Sequence, residues 1–181
     1  VGRAIELGVT LFDTSEQYTG GRSEEVLGRA VGDRDDVLIA TKVSPNRQDE
    51  IETCNAEHVI ERAHESLRRL KRSTIDVYQL HSPHLSTLQN SDWADGLDRL
   101  RQDGKIRFTA VAARGSEDGC WLIREGLVDI LQVTHNILER SVEQELLPLA
   151  HERGVGLLVR LPLCRGVLTG KFHAGQLVSE D

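Results

Sequence analysis

Six short apolar runs alternate with longer stretches of helical periodicity, and this alternation constrains the fold more than any other feature of the chain. The runs lie at 8–12, 37–42, 75–80, 106–111, 128–133 and 155–161. Their apolar residues are nearly continuous, as in strands covered on both faces. Helical patterns separate them at 23–32, 56–71, 90–103, 116–125 and 142–153. In the second of these, Val59, Ile60, Ala63, Leu67 and Leu70 recur at helical spacing and predict one buried stripe. Gly104, Gly126 and Gly154 each follow a helical pattern and precede a run, where a C-terminal cap belongs. Ser23 stands at a predicted N-cap, with Glu24 and Glu25 at the positive end of the helix. Pro148 predicts either a kink in the last helix or the start of its second half. No linker or low-complexity stretch interrupts 1–181, so a single domain is expected.

Strands joined by helices make parallel β-α-β units with right-handed crossovers. An open doubly wound sheet and a barrel both satisfy that pattern. The residues that end the runs favour the barrel. Asp13 follows an apolar run, Lys42 a second and His81 a third, while Tyr18 lies five positions after Asp13. In (β/α)8 barrels the catalytic residues come from the C-terminal ends of several different strands. Six units are two short of the eight of a closed barrel. The chain opens inside a helical pattern, contains no methionine and ends on a polar tail. The expectation is an α/β (β/α)8 TIM barrel, incomplete here, with about six of eight units and one further unit on each side.

Composition narrows the function classes. A formal charge of −7, spread along 181 residues, argues against a nucleic-acid surface, which needs a basic stripe. No apolar run approaches the ~18 residues of a membrane span. Three cysteines without a common short spacing give neither a disulfide framework nor a zinc site. His81 and His84 flank Pro83 and lack a third ligand at metal spacing, so no metal is expected. A cytoplasmic protein without nucleic-acid or membrane partners follows as the expectation; the sequence does not fix an oligomeric state.

The four strand-end residues are chemically complementary. A phenol has a reference pKa near ~10 and is a poor proton donor at neutral pH unless that value is lowered. A nearby ammonium stabilises the phenolate, and Lys42 is positioned to supply one to Tyr18. Asp13 would keep Lys42 charged. His81 would orient a carbonyl beside the phenol. Together they can protonate a carbonyl oxygen while hydride is delivered to its carbon.

The segments GVTLFDTSEQY and GGRSEEVLGRAV, ATKV at 40–43, DVYQLHSP at 76–83, GKIRF at 104–108, VDILQV followed by Asn136, and LPLCRGVLTGKF at 161–172 resemble, in order, the aldo-keto reductases. The resemblance covers essentially the whole chain. It implies a (β/α)8 barrel and the catalytic set Asp13, Tyr18, Lys42 and His81, with Tyr18 as the general acid. It also implies NADP(H) as cofactor, with NAD(H) as the other option, and a small-molecule carbonyl substrate. By the same resemblance Gln132 would hold the nicotinamide carboxamide, Arg160 would lie against the ring, and Leu163, Arg165 and Gly166 would approach the pyrophosphate. The absence of a G-x-G-x-x-G motif agrees, because this family binds its dinucleotide without one.

Some cofactor positions depart from the family pattern. Ala112 and Ala113 stand where polar residues usually assist the carboxamide, Arg160 replaces an aromatic residue, Leu161 a serine and His135 a tyrosine. These departures motivate an alternative, a catalytically impaired cofactor-binding or regulatory protein on the same scaffold. A Schiff-base aldolase using Lys42 is a third reading.

Overall fold

The computed structural model describes residues 1–48 and 51–172. Six strands form one parallel sheet: β1 (Leu11–Asp13), β2 (Leu38–Val43), β5 (Ile75–His81), β6 (Ile106–Ala112), β7 (Ile130–Thr134) and β8 (Gly156–Arg160). They lie side by side in chain order, each paired with the next in parallel. A sheet that winds in one direction without reversing is that of a barrel and not of a doubly wound fold, whose strand order reverses at a switch point. Six units of an open, incomplete (β/α)8 barrel are present among the described residues, as the alternation predicts.

The register divides the sheet into two faces, because partners across a parallel ladder point the same way and side chains alternate along each strand. Ile39, Val43, Tyr78, Leu80, Val111, Leu131 and Val133 face the helices and belong to the main core. Leu11, Ala40, Val77, Ala110 and Ile130 pack together on the opposite, inner face. The inner face also carries Asp13, Lys42, Gln79, Ala112 and Gln132, each two residues beyond an inner apolar partner, and His81, two residues beyond Gln79.

The helices that cover the outer face are α2 (Arg22–Val31), α3 (Ala56–Leu70), α5 (Trp93–Gln102), α6 (Ser116–Arg124) and α7 (Leu146–Arg153), with a short α1 (Gly2–Glu6) before β1. In α3 the Asn55 side chain caps the His58 N–H at 2.9 Å, and Val59, Ala63, Leu67 and Leu70 are buried along one stripe. Helices α2 and α3 touch backbone to backbone at Gly28, where a Cβ would stand 2.6 Å from the carbonyl oxygens of Arg69 and Leu70. Gly154 ends α7 at a φ of 69°, a left-handed cap that only glycine adopts freely.

Three local expectations are revised, and the choice left open at Pro148 is decided. The first strand begins at Leu11, later than expected, and ends on Asp13 itself. The helical pattern at 90–103 starts only at Trp93; a separate short helix, α4 (Leu85–Gln89), precedes it and Asp92 separates the two. Helix α2 starts at Arg22 behind a left-handed Gly21, and Ser23 pairs its hydroxyl with that of Thr14 at 2.7 Å instead of capping. Pro148 occupies the first turn of α7, where the helix needs no N–H from it, and it causes no kink. The polar segment after β2 also folds into a small antiparallel hairpin, β3 (Asn46–Gln48) with β4 (Ile51–Thr53).

Candidate active site

The C-terminal ends of β1, β2 and β5 bring Asp13, Lys42 and His81 to one end of the inner face, and the turn after β1 carries Tyr18 to them. Lys42 is 1% exposed, so its ammonium must be paired inside the protein. Its Nζ donates to Asp13 Oδ1 at 2.5 Å and to the Thr14 carbonyl at 2.7 Å. The same Nζ lies 5.2 Å from the centroid of the Tyr18 ring. Tyr18 meets His81 edge to face, with ring centroids 5.9 Å apart and an interplanar angle of 83°. All four expected catalytic residues therefore converge.

Two amides complete the Asp13 carboxylate. Gln79 Nε2 donates to Asp13 Oδ2 at 3.2 Å, and Gln132 Nε2 donates to the same oxygen at 3.0 Å. Asp13 is thus held by an ammonium and two side-chain amides while its side chain remains 37% exposed. Gln132, expected to hold a carboxamide, donates from its own NH2 to Asp13. Gln79 was not singled out by sequence, although its parity with His81, two residues on, places it on the same face.

His81 is neutral at physiological pH. Burial, reinforced by the Lys42 ammonium and opposed by Asp13, pushes its imidazole down to about 4. Its Nδ1 lies 3.1 Å from Ser15 Oγ and 3.5 Å from Ser44 Oγ. Neither serine stood out in the sequence.

Behind this cluster lies a web of buried charge. Glu24 is fully buried, accepting from Thr41 Oγ1 at 2.6 Å and from Arg69 Nε at 2.6 Å. Glu16 accepts from the Ser44 N–H at 2.9 Å and from Arg62 Nε at 2.7 Å. Thr41 precedes Lys42, and Glu16 lies between Ser15 and Tyr18, so these pairs fix the backbone that presents the site. Above it, Glu52 of the hairpin accepts from the His84 N–H at 2.5 Å and lies 3.7 Å from Arg114. That carboxylate ties together the loops after β2, β5 and β6.

The far side of the inner face is sparser. Arg160 is the register partner of Thr134 and lies on the face of Gln132, two residues beyond Leu158. Its Nη2 makes one long contact, 3.4 Å, to the Ala113 carbonyl, and its buried Nε has no hydrogen-bond partner among the described residues. The stretch after β8 forms an irregular 3-10 turn (Cys164–Thr169) in which Arg165 and Gly166 take positive φ values of 52° and 94°. Leu161 and Cys164 are positive as well, at 58° and 45°. Three non-glycine residues in that region within five positions mark a loop held in a demanding shape. Leu163, in this loop, is 54% exposed. A cleft of about 550 Å³ opens beside Asp13 and Tyr18, but its remaining walls, among them Phe12, Arg22 and Val26, come from β1 and from α2. It touches neither Lys42 nor His81, so it does not mark the site. Among the described residues there is no cluster of metal-ligating side chains, and no helix is long and apolar enough to cross a membrane.

The model of the aldo/keto reductase family matches residues 1–181. The chain is 33% identical over 174 residues to the aldo-keto reductase YhdN of Bacillus subtilis, covering 93% of this chain and 52% of that protein. This chain belongs to the aldo/keto reductase family. The holo form of the aldo-keto reductase AKR11C1 from Bacillus halodurans superposes with a TM-score of 0.85 at 28% identity, over 98% of this chain and 61% of that one. An aldo/keto reductase from Klebsiella pneumoniae in complex with NADP and acetate gives a TM-score of 0.76 at 30% identity, over 92% of this chain and 58% of that one. The chain thus spans about half the length of the relatives it matches.

Proposed function

We propose that the protein to which this chain belongs reduces an aldehyde or ketone to an alcohol with a reduced nicotinamide, NADPH in the first instance. The observation that carries this reading is the buried Lys42, held by Asp13 and Thr14 with its ammonium 5.2 Å from the Tyr18 ring. Tyr18 is the general acid. Its phenol gives its proton to the carbonyl oxygen, and the Lys42 ammonium stabilises the phenolate left behind. Asp13 keeps Lys42 charged and fixed, and Gln79 and Gln132 keep Asp13 in place. Neutral His81 presents a ring N–H toward the carbonyl oxygen and orients it beside Tyr18. Both groups act on the oxygen as negative charge develops there, which is where preorganised donors contribute most.

The chain's residues fit a dinucleotide. Gln132 retains an acceptor oxygen on the inner face, Arg160 keeps a buried donor without a partner among the described residues, and the loop with Leu163, Arg165 and Gly166 is shaped by positive φ. Gln132 would hold the carboxamide, Arg160 would lie against the ring, and that loop would approach the pyrophosphate. The bound cofactor supplies the hydride. Kinship with the Klebsiella pneumoniae reductase that binds NADP supports the choice of cofactor.

The test is a product balance. The full-length gene product with NADPH and 4-nitrobenzaldehyde should form the alcohol in a one-to-one ratio with NADPH consumed. NADPH binding by a folded protein without alcohol from a broad panel of carbonyls would contradict the reading. It would favour a regulatory protein on this scaffold.

A further inference from the structure

We infer that Ser15, with Ser44 behind it, is a positioning residue that fixes His81 as the tautomer carrying its proton on Nε2. The inference rests on the reductase reading for its catalytic consequence, but not for the tautomer itself.

A neutral imidazole has one N–H and one bare nitrogen, and the partner of one nitrogen decides what the other can do. Ser15 is fully buried. Its Oγ already accepts the Gln17 N–H at 3.3 Å. Among the described residues, the one acceptor within reach of the Ser15 hydroxyl hydrogen is His81 Nδ1, at 3.1 Å. Were the proton on Nδ1, that ring N–H would point at Ser15 Oγ, and the serine's own hydrogen would be buried with nowhere to go. With Nδ1 bare, Ser15 donates to it, every group at this junction is satisfied, and the ring proton sits on Nε2. Ser44 Oγ approaches the same nitrogen at 3.5 Å and can take over the donation. Ser44 is held by the bond from its N–H to Glu16 Oε1, at 2.9 Å, and Glu16 by Arg62, at 2.7 Å.

The arrangement has a functional point. Nε2 makes no hydrogen bond to any described residue, so in this tautomer it offers a free donor to whatever occupies the space beside Tyr18. The other tautomer would present a lone pair to a carbonyl oxygen and repel it. The two serines reach His81 from the turn after β1 and from the end of β2, so the geometry of three strands sets the ring's proton.

The experiment uses the full-length protein with 15N-labelled histidine, reading the His81 ring nitrogens by long-range proton–nitrogen correlation near pH 7. The signals are assigned by their loss in His81→Asn. The wild type should show a bare Nδ1 and a protonated Nε2. In Ser15→Ala the ring should begin to populate the Nδ1–H form, and in Ser15→Ala/Ser44→Ala it should do so more fully. Catalytic efficiency toward 4-nitrobenzaldehyde should fall by about tenfold in the double variant, roughly the factor one hydrogen bond supplies, with NADPH affinity unchanged. Ser15→Thr retains the hydroxyl and should restore both the ring signature and the rate. An unchanged ring in the double variant overturns the inference, as does a loss of rate with no change in the ring. If the wild type turns over no carbonyl while the variants still redistribute the ring proton, the reductase reading fails and the tautomer assignment stands.

Discussion

The two sides of the inner face are built to different standards. On the side of β1, β2 and β5, each charged group has a partner inside the protein, although Gln79 Oε1 is buried without one among the described residues. Lys42 has Asp13 and Thr14, Asp13 has Gln79 and Gln132, and His81 has two serines. On the side of β6, β7 and β8, Ala112 offers nothing polar, Arg160 keeps a buried nitrogen without a partner among the described residues, and the following loop runs through positive φ. A site that must hold a proton at a defined atom needs its charges rigidly paired before substrate arrives. A surface that receives a large ligand can leave donors open for that ligand to fill. On the proposed reading, the half that transfers the proton is held by internal ion pairs, while the half that faces the nicotinamide is completed from outside.

The largest break in this contrast comes at its buried cation. Lys42→Met should lower the turnover number by roughly 1,000-fold, within the range of a lost acid–base function, and leave NADPH affinity near wild type. Steady-state kinetics beside a fluorescence titration check this, and a variant that loses affinity instead would erase the division between the two halves.

Next is the support behind the catalytic half. Glu24→Gln keeps an acceptor for Thr41 but removes the charge opposite Arg69. Since Arg69 retains Glu65 at 3.2 Å, the loss of stability should be about 3 kcal/mol, the low end for a broken buried pair. Urea unfolding with an unchanged m-value would confirm it.

The sparse half should respond in the opposite direction. Ala112 is the register partner of both His81 and Gln132 on the inner face. Ala112→Ser adds a hydroxyl there and should tighten NADPH about fivefold, the gain of roughly 1 kcal/mol that one hydrogen bond gives. A titration showing weaker binding would mean that this side is already complete.

A separate effect is on pH dependence. The folded-state pKa of His81 lies below its ordinary value of 6.5, at about 4. Between these values the unfolded chain binds more protons at this residue than the folded one. The stability it contributes is therefore fully present above pH 6.5 and is lost as pH falls toward 4. His81→Asn should flatten the decline in Tm over that window, as calorimetry from pH 7 to pH 4 would show.

Much of the architecture could be read from the chain because burial writes itself into hydrophobic patterning. Strands covered on both faces are apolar throughout, so the sheet and most of its helices stand out. The hairpin at 46–53 escaped that reading, because Asn46, Arg47, Gln48 and Glu52 are polar and its strands carry no apolar alternation. The start at Trp93 escaped because Asn90, Ser91 and Asp92 contain no glycine or proline to mark the boundary. Asp13, Lys42 and His81 were legible because charged or ionisable groups at the ends of apolar runs are conspicuous, and Tyr18 because its phenol complements them five positions after Asp13. Ser15, Ser44 and Gln79 were not, because a small hydroxyl or amide announces no chemistry until its partner is known. The double duty of Gln132 as a donor to Asp13 spans 119 residues of sequence separation, and local pattern holds no trace of it.

The central claim, that the proton comes from Tyr18 while the cofactor is held elsewhere, is tested most directly by one paired measurement on wild type and Tyr18→Phe. NADPH affinity is read by fluorescence, and the rate of NADPH oxidation by 4-nitrobenzaldehyde is read in the same samples. The account predicts equal affinity and a loss of at least ~100-fold in rate for the phenylalanine variant. A Tyr18→Phe protein that binds NADPH and keeps its full rate would contradict it.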